Sequence, residues 1–373
     1  MLIGACDPIL CPWHVSRPDE LRPFPAQQSV EYKGHTGRIT SISVDPTGRW
    51  LLTGSDDGTA IFWEVTTGRR CKVLKLAAKS ELVVVAWNPN PAIAVAAIAF
   101  DNTIWLVNPR LGSSAAYLGT DKMLKAEVAA VTPTTKIKWA RAPGDVHKQG
   151  VRFVVTTPKP IDALTWHSKG NYFSTVSNTG VTDSVAVLSL LRRTAQNPIA
   201  KGRDVQKVAF HPSKPIFFVA TKTQVRVYNL QTHTLMKKLL TGSNHISSIS
   251  VHPKGDNIII GTYDRRLCWF DLDLSVKPYK TLRYHRFAIR NVVYHDTRPL
   301  FASCSDDGTI HVFHGMVYSD LMQNPLIVPV KILKGHTREN GTGLGVMDAV
   351  FHPTQPWLFS AGADGTVRLY TDD

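Results

Sequence analysis

Histidines and paired carboxylates are the residues of this chain with the most obvious potential for catalysis or metal binding. The sequence has 14 histidines, and imidazole and carboxylate groups are common zinc ligands and general acids or bases. Two of the adjacent carboxylate pairs, Asp56-Asp57 and Asp306-Asp307, are each followed by Gly-Thr. These residues make a site only where the fold brings several of them together, so their spacing decides what they can do.

The spacing of the histidines favours a structural role, because five of them begin a similar turn in successive repeats. Residues that recur once per repeat are spread around a molecule and do not converge on one metal ion. The sequence also has no G-x-x-x-x-G-K-[ST] loop and no G-x-S-x-G turn. We therefore predict no enzyme activity, no metal, no cofactor and no small-molecule substrate. The turn histidines are His167, His211, His252, His295 and His352.

The segments that position these residues alternate between short strands and tight turns. Residues 54–63, 303–313 and 360–370 each combine an Asp-Gly pair with strand-forming residues. Asp-Gly suits a hairpin whose turn needs positive φ, and the alternation after it buries every second side chain. Repeats of this kind, roughly 40 residues apart, are typical of four-stranded propeller blades.

We predict an all-β fold, a seven-bladed β-propeller that occupies residues 28–373. The chain stops shortly after the third strand of the last repeat, so residues 28–33 are expected to add the fourth strand and close the ring. Closure leaves no free sheet edge between the first and last blades. The predicted blades lie near residues 34–71, 72–135, 150–200, 201–233, 234–278, 279–330 and 331–373.

Two segments fall outside the repeat. Residues 1–27 are rich in proline, which excludes a regular helix or a central strand. We expect an extended segment on the propeller wall, anchored by Leu21 and Phe24, and we expect the chain to be the C-terminal part of a larger protein. Residues 110–150 are expected to form a surface insertion that includes a short helix at Asp121–Val131.

Composition restricts the compartment and the partners. The five cysteines are scattered and none forms C-x-x-C, which indicates a reducing compartment such as nucleus or cytoplasm. No signal peptide and no apolar stretch of membrane-spanning length is visible, so we predict no membrane association. The formal net charge of +14 favours polyanionic partners, above all nucleic acid, although solubility alone is the alternative explanation.

The positive charge is concentrated in one part of the chain. Residues 192–290 contain 18 Lys or Arg and five acidic residues, whereas the rest of the chain has 25 against 24. We predict that this basic sector contacts RNA, the alternative being a solvated surface. The sector candidates are Lys237, Lys238, Arg265, Arg266, Arg283, Arg286 and Arg290.

A second basic pattern lies in the turns between the first two strands of the blades. These turns open on one face of a propeller, so their basic residues would form a partial ring suited to phosphate contact without base recognition. Nearby aromatic residues are expected to lie mainly in the core, the alternative being stacking on unpaired bases. The turn residues are Arg49, Lys169, Lys214, Lys254 and Arg298, and the aromatic residues are Tyr263, Tyr279, Tyr284 and Phe287.

The repeat resembles the WD40 family. In that family a histidine, a serine or threonine, the turn aspartate and a tryptophan form a buried hydrogen-bonded network. Blade one offers the full set, and the later blades offer parts of it, with Gly242 where blade five would carry the histidine. The resemblance assigns the network to His35, Ser55, Asp57 and Trp63, to Asp264, to His285, Ser305 and Asp307, and to His336 and Asp364.

A narrower resemblance is to the C-terminal propeller of the block-of-proliferation family of ribosome-biogenesis proteins. It is carried by residues 21–25, 32–36 and 49–63 and by the blade-six stretch 285–299. The resemblance implies a non-catalytic scaffold in 60S ribosomal subunit biogenesis and ribosomal RNA processing, in the nucleolus and nucleoplasm. It also implies binding to the pre-60S particle, to a second WD-repeat protein and to a Pescadillo-type protein.

The partner surface and a rival function remain open at this point. Loops of blade one, including Arg38 and Arg49, are candidates for binding the second WD-repeat protein. The rival is a peptide- or phosphopeptide-reading propeller, for which the basic sector would accept acidic or phosphorylated segments. The first aspartate of each pair, Asp56 and Asp306, is expected to be exposed at the upper rim.

Overall fold

Seven antiparallel β-sheets form the blades of a closed propeller, which confirms the predicted fold. The computed structural model describes residues 18–76, 80–125, 136–179, 184–199, 202–318, 324–339 and 341–372. The first strand of each blade contacts the first strand of the next blade, and that of blade seven contacts that of blade one. The first strands therefore surround the central axis, and the fourth strands form the circumference.

The strands have two to nine residues. In blade two the last strand named here is a fifth, outer strand. The bounds are Ile39–Val44, Trp50–Ser55, Thr59–Glu64 and Arg70–Lys75 in blade one; Val83–Trp87, Ala96–Phe100, Thr103–Val107, Val151–Thr156 and Lys138–Arg141 in blade two; Ala163–Trp166, Tyr172–Val176, Val185–Ser189 and Ala195–Gln196 in blade three; Val205–Phe210, Ile216–Thr221, Gln224–Asn229 and Thr234–Leu240 in blade four; Ile246–Val251, Asn257–Thr262, Leu267–Asp271 and Lys280–Leu282 in blade five; Ile289–Tyr294, Leu300–Ser305, Thr309–Met316 and Leu326–Lys334 in blade six; and Val346–Phe351, Leu358–Gly362, Thr366–Thr371 and Gln27–Lys33 in blade seven.

The tight turns follow from the residues at their corners. In blade one the carboxylate of Asp45 accepts the N–H groups of Thr47 at 3.1 Å and Trp50 at 2.8 Å, and Gly48 takes the positive φ that the turn requires. Because successive strands are antiparallel, all turns between first and second strands lie on one face, here called the lower face. Turns between second and third strands and the loops between blades lie on the opposite, upper face.

The hydrophobic core is divided among the interfaces between blades. Among the described residues, seven clusters of buried apolar side chains occur, each with residues from two adjacent blades. At the interface of blades seven and one, Tyr32, Trp63 and Phe359 are almost completely buried. Burial of this kind at each blade interface holds the ring together, since each sheet has two apolar faces to cover.

The ring is closed by the strand Gln27–Lys33, which pairs antiparallel with Thr366–Thr371. Tyr32 lies opposite Val367 in this pairing, and its hydroxyl donates to the carbonyl of Val65 in blade one at 2.6 Å. The predicted closing strand at residues 28–33 is therefore confirmed, and it joins blade seven to blade one.

The insertion begins after the third strand of blade two, and the chain then returns to that blade. Val151–Thr156 pairs with Thr103–Val107 as the fourth strand, and Lys138–Arg141 adds a fifth. The prediction that blade three begins at residue 150 is thus wrong, because the long insertion hid the returning strand. In blades four and five the fourth strand likewise lies beyond the predicted border, and in blade one it crosses that border.

The insertion carries two helices, Ser114–Lys125 and Gly144–Lys148. The first begins earlier than the predicted helix at Asp121–Val131, whose residues after 125 lie outside the described ranges. Asp121 fixes this helix to blade two by accepting hydrogen bonds from the buried Arg152 at 2.6 and 2.9 Å.

Part of the proline-rich segment is described. It forms a short 3-10 turn at Pro18–Leu21, and Phe24, which is 3% exposed, joins the cluster between blades six and seven. Leu21 packs against the same cluster, and residues 1–17 lie outside the described ranges. Across the described parts of the chain, no helix is long and apolar enough to cross a membrane.

Candidate functional site

Blade one contains the hydrogen-bonded network that the WD40 resemblance implies. His35 Nδ1 lies 3.2 Å from Asp57 Oδ2, and because a carboxylate only accepts, Nδ1 carries the proton. Nε2 then accepts from the hydroxyl of Thr53 at 2.7 Å, and that hydroxyl accepts from Trp63 Nε1 at 2.9 Å. Although burial raises the pKa of Asp57, the hydrogen bonds it accepts from Thr59 and from the backbone hold that pKa below its usual value.

The hydroxyl that joins histidine to tryptophan belongs to Thr53, whereas the resemblance assigned the network hydroxyl to Ser55. Ser55 Oγ instead accepts the N–H of Asp57 at 3.2 Å, within the turn. Blade six repeats this arrangement, since Ser303 lies 2.8 Å from His285 Nε2 and Ser305 accepts the N–H of the turn aspartate. Residues two apart point to the same side of a strand, so the sequence pattern does not distinguish them.

The network aspartates of blades six and seven are bound in the same way. His285 Nδ1 lies 3.0 Å from Asp307, and His336 Nδ1 lies 3.1 Å from Asp364. Burial raises the pKa of each aspartate, but the hydrogen bonds from its histidine and from Thr309 or Thr366 together outweigh burial and lower that pKa below the usual range. The carboxylates are therefore anions that hold the network histidines in place.

Blade five has lost most of the network. Asp264 accepts the hydroxyl of Ser243 at 2.6 Å and the N–H of Asn244 at 2.9 Å. The corresponding N–H in blade one is that of Thr36, immediately after the histidine. Ser243 therefore holds the histidine position, and the alignment of Gly242 with it was wrong by one residue.

The first aspartate of each pair is not a free carboxylate at the rim. Asp56 is bound by Arg38 at 2.7 Å, and Asp306, which is 7% exposed, is bound by Arg290 at 2.7 to 2.9 Å. The Arg290 guanidinium also lies over the Tyr263 ring, 5.2 Å from its centroid. The prediction of exposure is thus wrong, and both arginines have their charge matched.

The turn histidines connect neighbouring blades on the lower face. His295 Nε2 donates to the carbonyl of Gln355 at 2.8 Å, and His352 Nε2 donates to that of Gly48 at 3.2 Å. The Nδ1 atoms of both rings accept backbone N–H groups of their own turns. Burial lowers the pKa of both histidines, so the neutral ring is favoured. These contacts are structural and hold the lower turns beside one another.

One group of potential metal ligands was not singled out from the sequence. The ligand atoms of His285, Asp307 and His311 lie within 4.8 Å of one another. Both nitrogens of His285 are already hydrogen-bonded, to Asp307 and to Ser303, so the network accounts for this residue. His311 occupies the register position of Ile61 in blade one, and that comparison between repeats could have revealed it. The absence of a metal stays a prediction.

The basic residues predicted to contact RNA lie on three different surfaces. On the lower face, Arg49, Lys169, Lys214 and Lys254 are exposed and Arg298 is half-buried. In the described part of the chain no carboxylate lies within 4.0 Å of their charged groups. Four of these residues come from the consecutive blades three to six, where they form an arc of unneutralised charge.

On the upper face, four arginines surround the second turn of blade five and the loop that follows this blade. Arg265, Arg283 and Arg286 are exposed, and Arg266 is half-buried. Arg266 donates to the carbonyl of Gly242 at 2.9 Å. None of the four has a carboxylate within 4.0 Å among the described residues. Arg290, in contrast, is already paired with Asp306, so its charge adds little to this surface.

The lysines of the sector lie on the circumference. Lys238 is exposed, but Lys237 is half-buried and its Nζ donates to the carbonyl of Leu272 in blade five at 2.5 Å. In the same register of blade five, Lys280 Nζ donates to Ile327 of blade six at 3.0 Å. Lys237 is therefore a link between blades as well as a surface charge.

Comparison with known proteins agrees with this architecture. Residues 26–64, 234–271, 276–314 and 327–371 match the family model described as WD domain, G-beta repeat. The chain is 51% identical over 366 residues to the ribosome biogenesis protein BOP1 homolog of Monosiga brevicollis, a match that covers 95% of this chain and 45% of that protein. It is 46% identical over 357 residues to ribosome biogenesis protein BOP1 of Mus musculus, covering 95% of this chain and 48% of that protein.

This chain belongs to the BOP1 family. The homolog of Dictyostelium discoideum gives the same result, with 48% identity over 371 residues. The chain spans about half the length of these relatives. The propeller and its WD network therefore correspond to about half of the length of each of these relatives.

The two arginines predicted to bind a partner do not lie on one surface of this BOP1-family propeller. Arg38 precedes the first strand of blade one and lies at the upper face, whereas Arg49 follows that strand on the lower face. The six-residue strand separates them by about 20 Å. Residues close in sequence thus flank opposite ends of a strand, so Arg38 and Arg49 are candidates for partner binding on two different faces.

Three of the four aromatic residues named with the sector are not core residues in the BOP1-family propeller. Tyr279, Tyr284 and Phe287 are 45%, 47% and 44% exposed. Tyr263 is half-buried beneath Arg290. The expectation that most of them are core is wrong, because these three lie in loops and near strand ends, where the alternation of strand burial does not apply.

Proposed function

We propose that this chain is a non-catalytic scaffold in biogenesis of the large (60S) ribosomal subunit and in ribosomal RNA processing, in the nucleolus and nucleoplasm. The names of the relatives, which describe ribosome biogenesis proteins, support this role. The histidines and aspartates that might have served catalysis are engaged in contacts within and between blades. A scaffold uses its surface, and the unneutralised positive charge of this propeller lies there.

RNA is the partner that the lower face fits best. The observation that carries this proposal is the arc of basic residues in the lower turns of blades three to six, without carboxylates within ion-pair distance in the described chain. The turns are held together by bonds such as that from Ser168 Oγ to the carbonyl of Pro212 at 2.8 Å. A rigid row of positive groups suits the phosphates of RNA without recognising base sequence. The arc is formed by Lys169, Lys214, Lys254 and Arg298.

Charge reversal tests the RNA proposal. The substitutions Lys169→Glu, Lys214→Glu and Lys254→Glu are expected to weaken binding of single-stranded RNA at least tenfold at about 0.15 M salt. The slope of log K against log salt should fall by about 2, since each lost phosphate contact removes about 0.7. Fluorescence anisotropy with a labelled RNA measures both quantities.

The matched control makes the same charge change on the blade-two insertion, at the exposed residues Lys122, Lys125 and Lys138. This control variant should retain its affinity for RNA. Equal losses in both variants would mean that net charge alone governs binding, and an unchanged lower-face variant would remove the arc from the proposal.

Protein partners are the second part of the proposal. We propose binding to the pre-60S particle, to a Pescadillo-type protein and to a second WD-repeat protein. Arg38 and Arg49 are separate candidates for contact with the WD-repeat protein, since they lie on opposite faces. Affinity purification of the full-length protein from nuclear extract, with and without RNase, is expected to recover the WD-repeat partner in both conditions and large-subunit precursors mainly without RNase. Recovery of a ubiquitin-ligase core in place of these would contradict the scaffold and favour a substrate receptor.

A further inference from the structure

The second turn of blade five differs from the same turn in blades one, six and seven, which keep the bond between the network histidine and the turn aspartate. In blades one, six and seven the turn aspartate is followed by Gly58, Gly308 and Gly365, with φ values of 81°, 78° and 74°. Blade five carries Arg265 at this position, with φ of 66°. A side chain is disfavoured in this left-handed region, and glycine is the residue it normally requires. Glycine would therefore be more stable than Arg265 in this backbone conformation.

The next position has changed as well. In blades one and six, Thr59 and Thr309 donate their hydroxyls to the turn aspartate, both at 2.6 Å. Blade five has Arg266 in the threonine position, and this arginine bonds the carbonyl of Gly242 instead. With Ser243 in place of histidine, blade five has exchanged three stabilising components of the network at one turn. Positions that depart together from a local stability pattern are commonly functional.

Two of these exchanged residues, Arg265 and Arg266, line a cleft of about 430 Å³ on the upper face. Its lining is strongly basic: Arg265, Arg266 and Arg283 contribute three guanidinium groups, and His285 lies at its edge. Asp264 is also in the lining, where hydrogen bonds from Ser243 and Asn244 lower its pKa and keep it negatively charged, so the three guanidiniums exceed the acidic charge of the lining by two.

The arginines of the cleft are oriented but not neutralised. Arg266 is held by the carbonyl of Gly242, and Arg265 lies 3.5 Å from the carbonyl of Arg286. Within the described residues, no carboxylate approaches Arg265, Arg266 or Arg283 within 4.0 Å. Each guanidinium has five N–H donors, so several donors remain for a ligand.

The chemistry of the cleft fits a phosphate monoester. Clustered guanidiniums bind phosphate through paired, charge-assisted hydrogen bonds, and a phosphorylated serine or threonine carries nearly two negative charges. The exposed rings of Tyr284 and Phe287, in the loop beside the cleft, offer apolar contacts to the residues that flank such a phosphate.

A polynucleotide fits this cleft less well, because the positive charge along the upper face is partly neutralised. Arg290 of blade six and Arg38 of blade one are ion-paired with Asp306 and Asp56, whereas Arg286 and Arg338, which lies over the Phe287 ring, are exposed on this face. The lysines of the sector lie on the circumference and the basic arc lies on the opposite face. A compact group of three arginines suits one doubly charged group better than an extended chain of singly charged phosphodiesters.

We propose that the upper cleft of blade five binds a phosphorylated serine or threonine in a segment of a partner protein. This site is distinct from the lower-face arc and does not depend on it. Phosphorylation of the partner would then switch its attachment to the propeller on and off.

The decisive variant combines Arg265→Gly with Arg266→Thr, which restores the Gly-Thr pair of blades one, six and seven. It removes two guanidiniums from the cleft and relieves the left-handed arginine, so its melting temperature should equal or exceed that of the original chain. A loss of binding in this variant is therefore not a loss of fold. The matched control is Lys238→Thr with Lys277→Thr, which removes the same charge from exposed positions of the same sector.

The probe is a library of peptides with one phosphoserine or phosphothreonine among degenerate flanking residues, with unphosphorylated copies. The full chain is expected to retain phosphorylated members at least tenfold better than their copies, and the double variant should lose this preference while the control keeps it. The proposal is overturned if phosphorylated and unphosphorylated peptides are retained equally, or if the double variant binds as before. It is also overturned if the double variant weakens single-stranded RNA binding but not phosphopeptide binding, because the cleft would then belong to RNA.

Discussion

The hydroxyl of Thr53 satisfies two buried polar groups at once, and replacing this residue with valine removes the hydroxyl while nearly keeping the shape. In the native network the hydroxyl donates to His35 Nε2 at 2.7 Å and accepts from Trp63 Nε1 at 2.9 Å. Thr53 is fully buried and Trp63 is 1% exposed, so water does not replace the lost bonds. Thr53→Val therefore leaves one acceptor and one donor unsatisfied.

The expected cost follows from these two groups. A buried polar atom without a partner costs about 1–3 kcal/mol, so the two atoms left by Thr53→Val should destabilise the fold by about 2–6 kcal/mol. Unfolding of a chain of 373 residues has an entropy of about 0.8 kcal/mol/K at the midpoint, from about 2.1 cal/mol/K per residue. The melting temperature should fall by about 3–8 °C.

Calorimetry and urea unfolding of three variants separate the hydroxyl from the rest of the side chain. Thr53→Ser keeps the hydroxyl, and Ser55→Ala removes only an acceptor of one 3.2 Å bond from Asp57 N–H. Each of these two variants should cost about 1 kcal/mol. If Ser55→Ala is the more damaging change, or if Thr53→Val matches Thr53→Ser, the assignment of the bridging hydroxyl to Thr53 is refuted.

Two further predictions concern stability. Burial and the neighbouring His285 lower the pKa of His311 from 6.5 to about 4, so the unfolded chain takes up this proton first as the pH falls. The contribution of neutral His311 to the free energy of unfolding is fully present above about pH 6.5 and decreases as the pH falls towards 4. Between pH 7.5 and pH 5 this decrease amounts to about 2 kcal/mol. His311→Ile introduces the residue that blade one has at this position. In urea unfolding at pH 7.5 and pH 5, this variant should lose about 2 kcal/mol less stability than the original chain. An unchanged pH dependence would contradict the lowered pKa of His311. Lys237→Met should destabilise the propeller by about 1–2 kcal/mol, because the hydrogen bond to the carbonyl of Leu272 is lost. The control Lys238→Met, at the exposed neighbouring residue, should change the stability by less than about 0.5 kcal/mol. Equal effects of the two substitutions would show that the Lys237 hydrogen bond contributes nothing to stability.

The sequence determined the local structure and the repeat. An Asp-Gly pair favours a tight turn, and alternating apolar residues favour a half-buried strand, because both preferences depend mainly on neighbouring residues. Repetition of these signals predicted seven blades. The last repeat lacked a fourth strand, and residues 28–33 had the matching pattern, so ring closure was predictable as well.

The sequence pattern gave wrong assignments where two residues or two sheets fitted it equally well. Thr53 and Ser55 point to the same side of one strand, and only packing shows which of them meets the His35 ring. The insertion of blade two separates the fourth strand from its partners, so Val151–Thr156 was assigned to the wrong blade. Strand pairing over a long loop is a tertiary property, since no local signal records which sheet the chain rejoins.

The basic residues show most clearly which properties the sequence determines and which properties depend on the tertiary structure. The sequence alone located the excess of positive residues between positions 192 and 290. Only the folded chain showed that these residues are divided among the upper face, the circumference and the lower face, because the direction of each strand decides where its flanking residues emerge. It also showed that Arg290 and Arg38 are neutralised by aspartates while the arginines beside Asp264 are not, since ion pairing depends on distances of a few ångströms between separate turns.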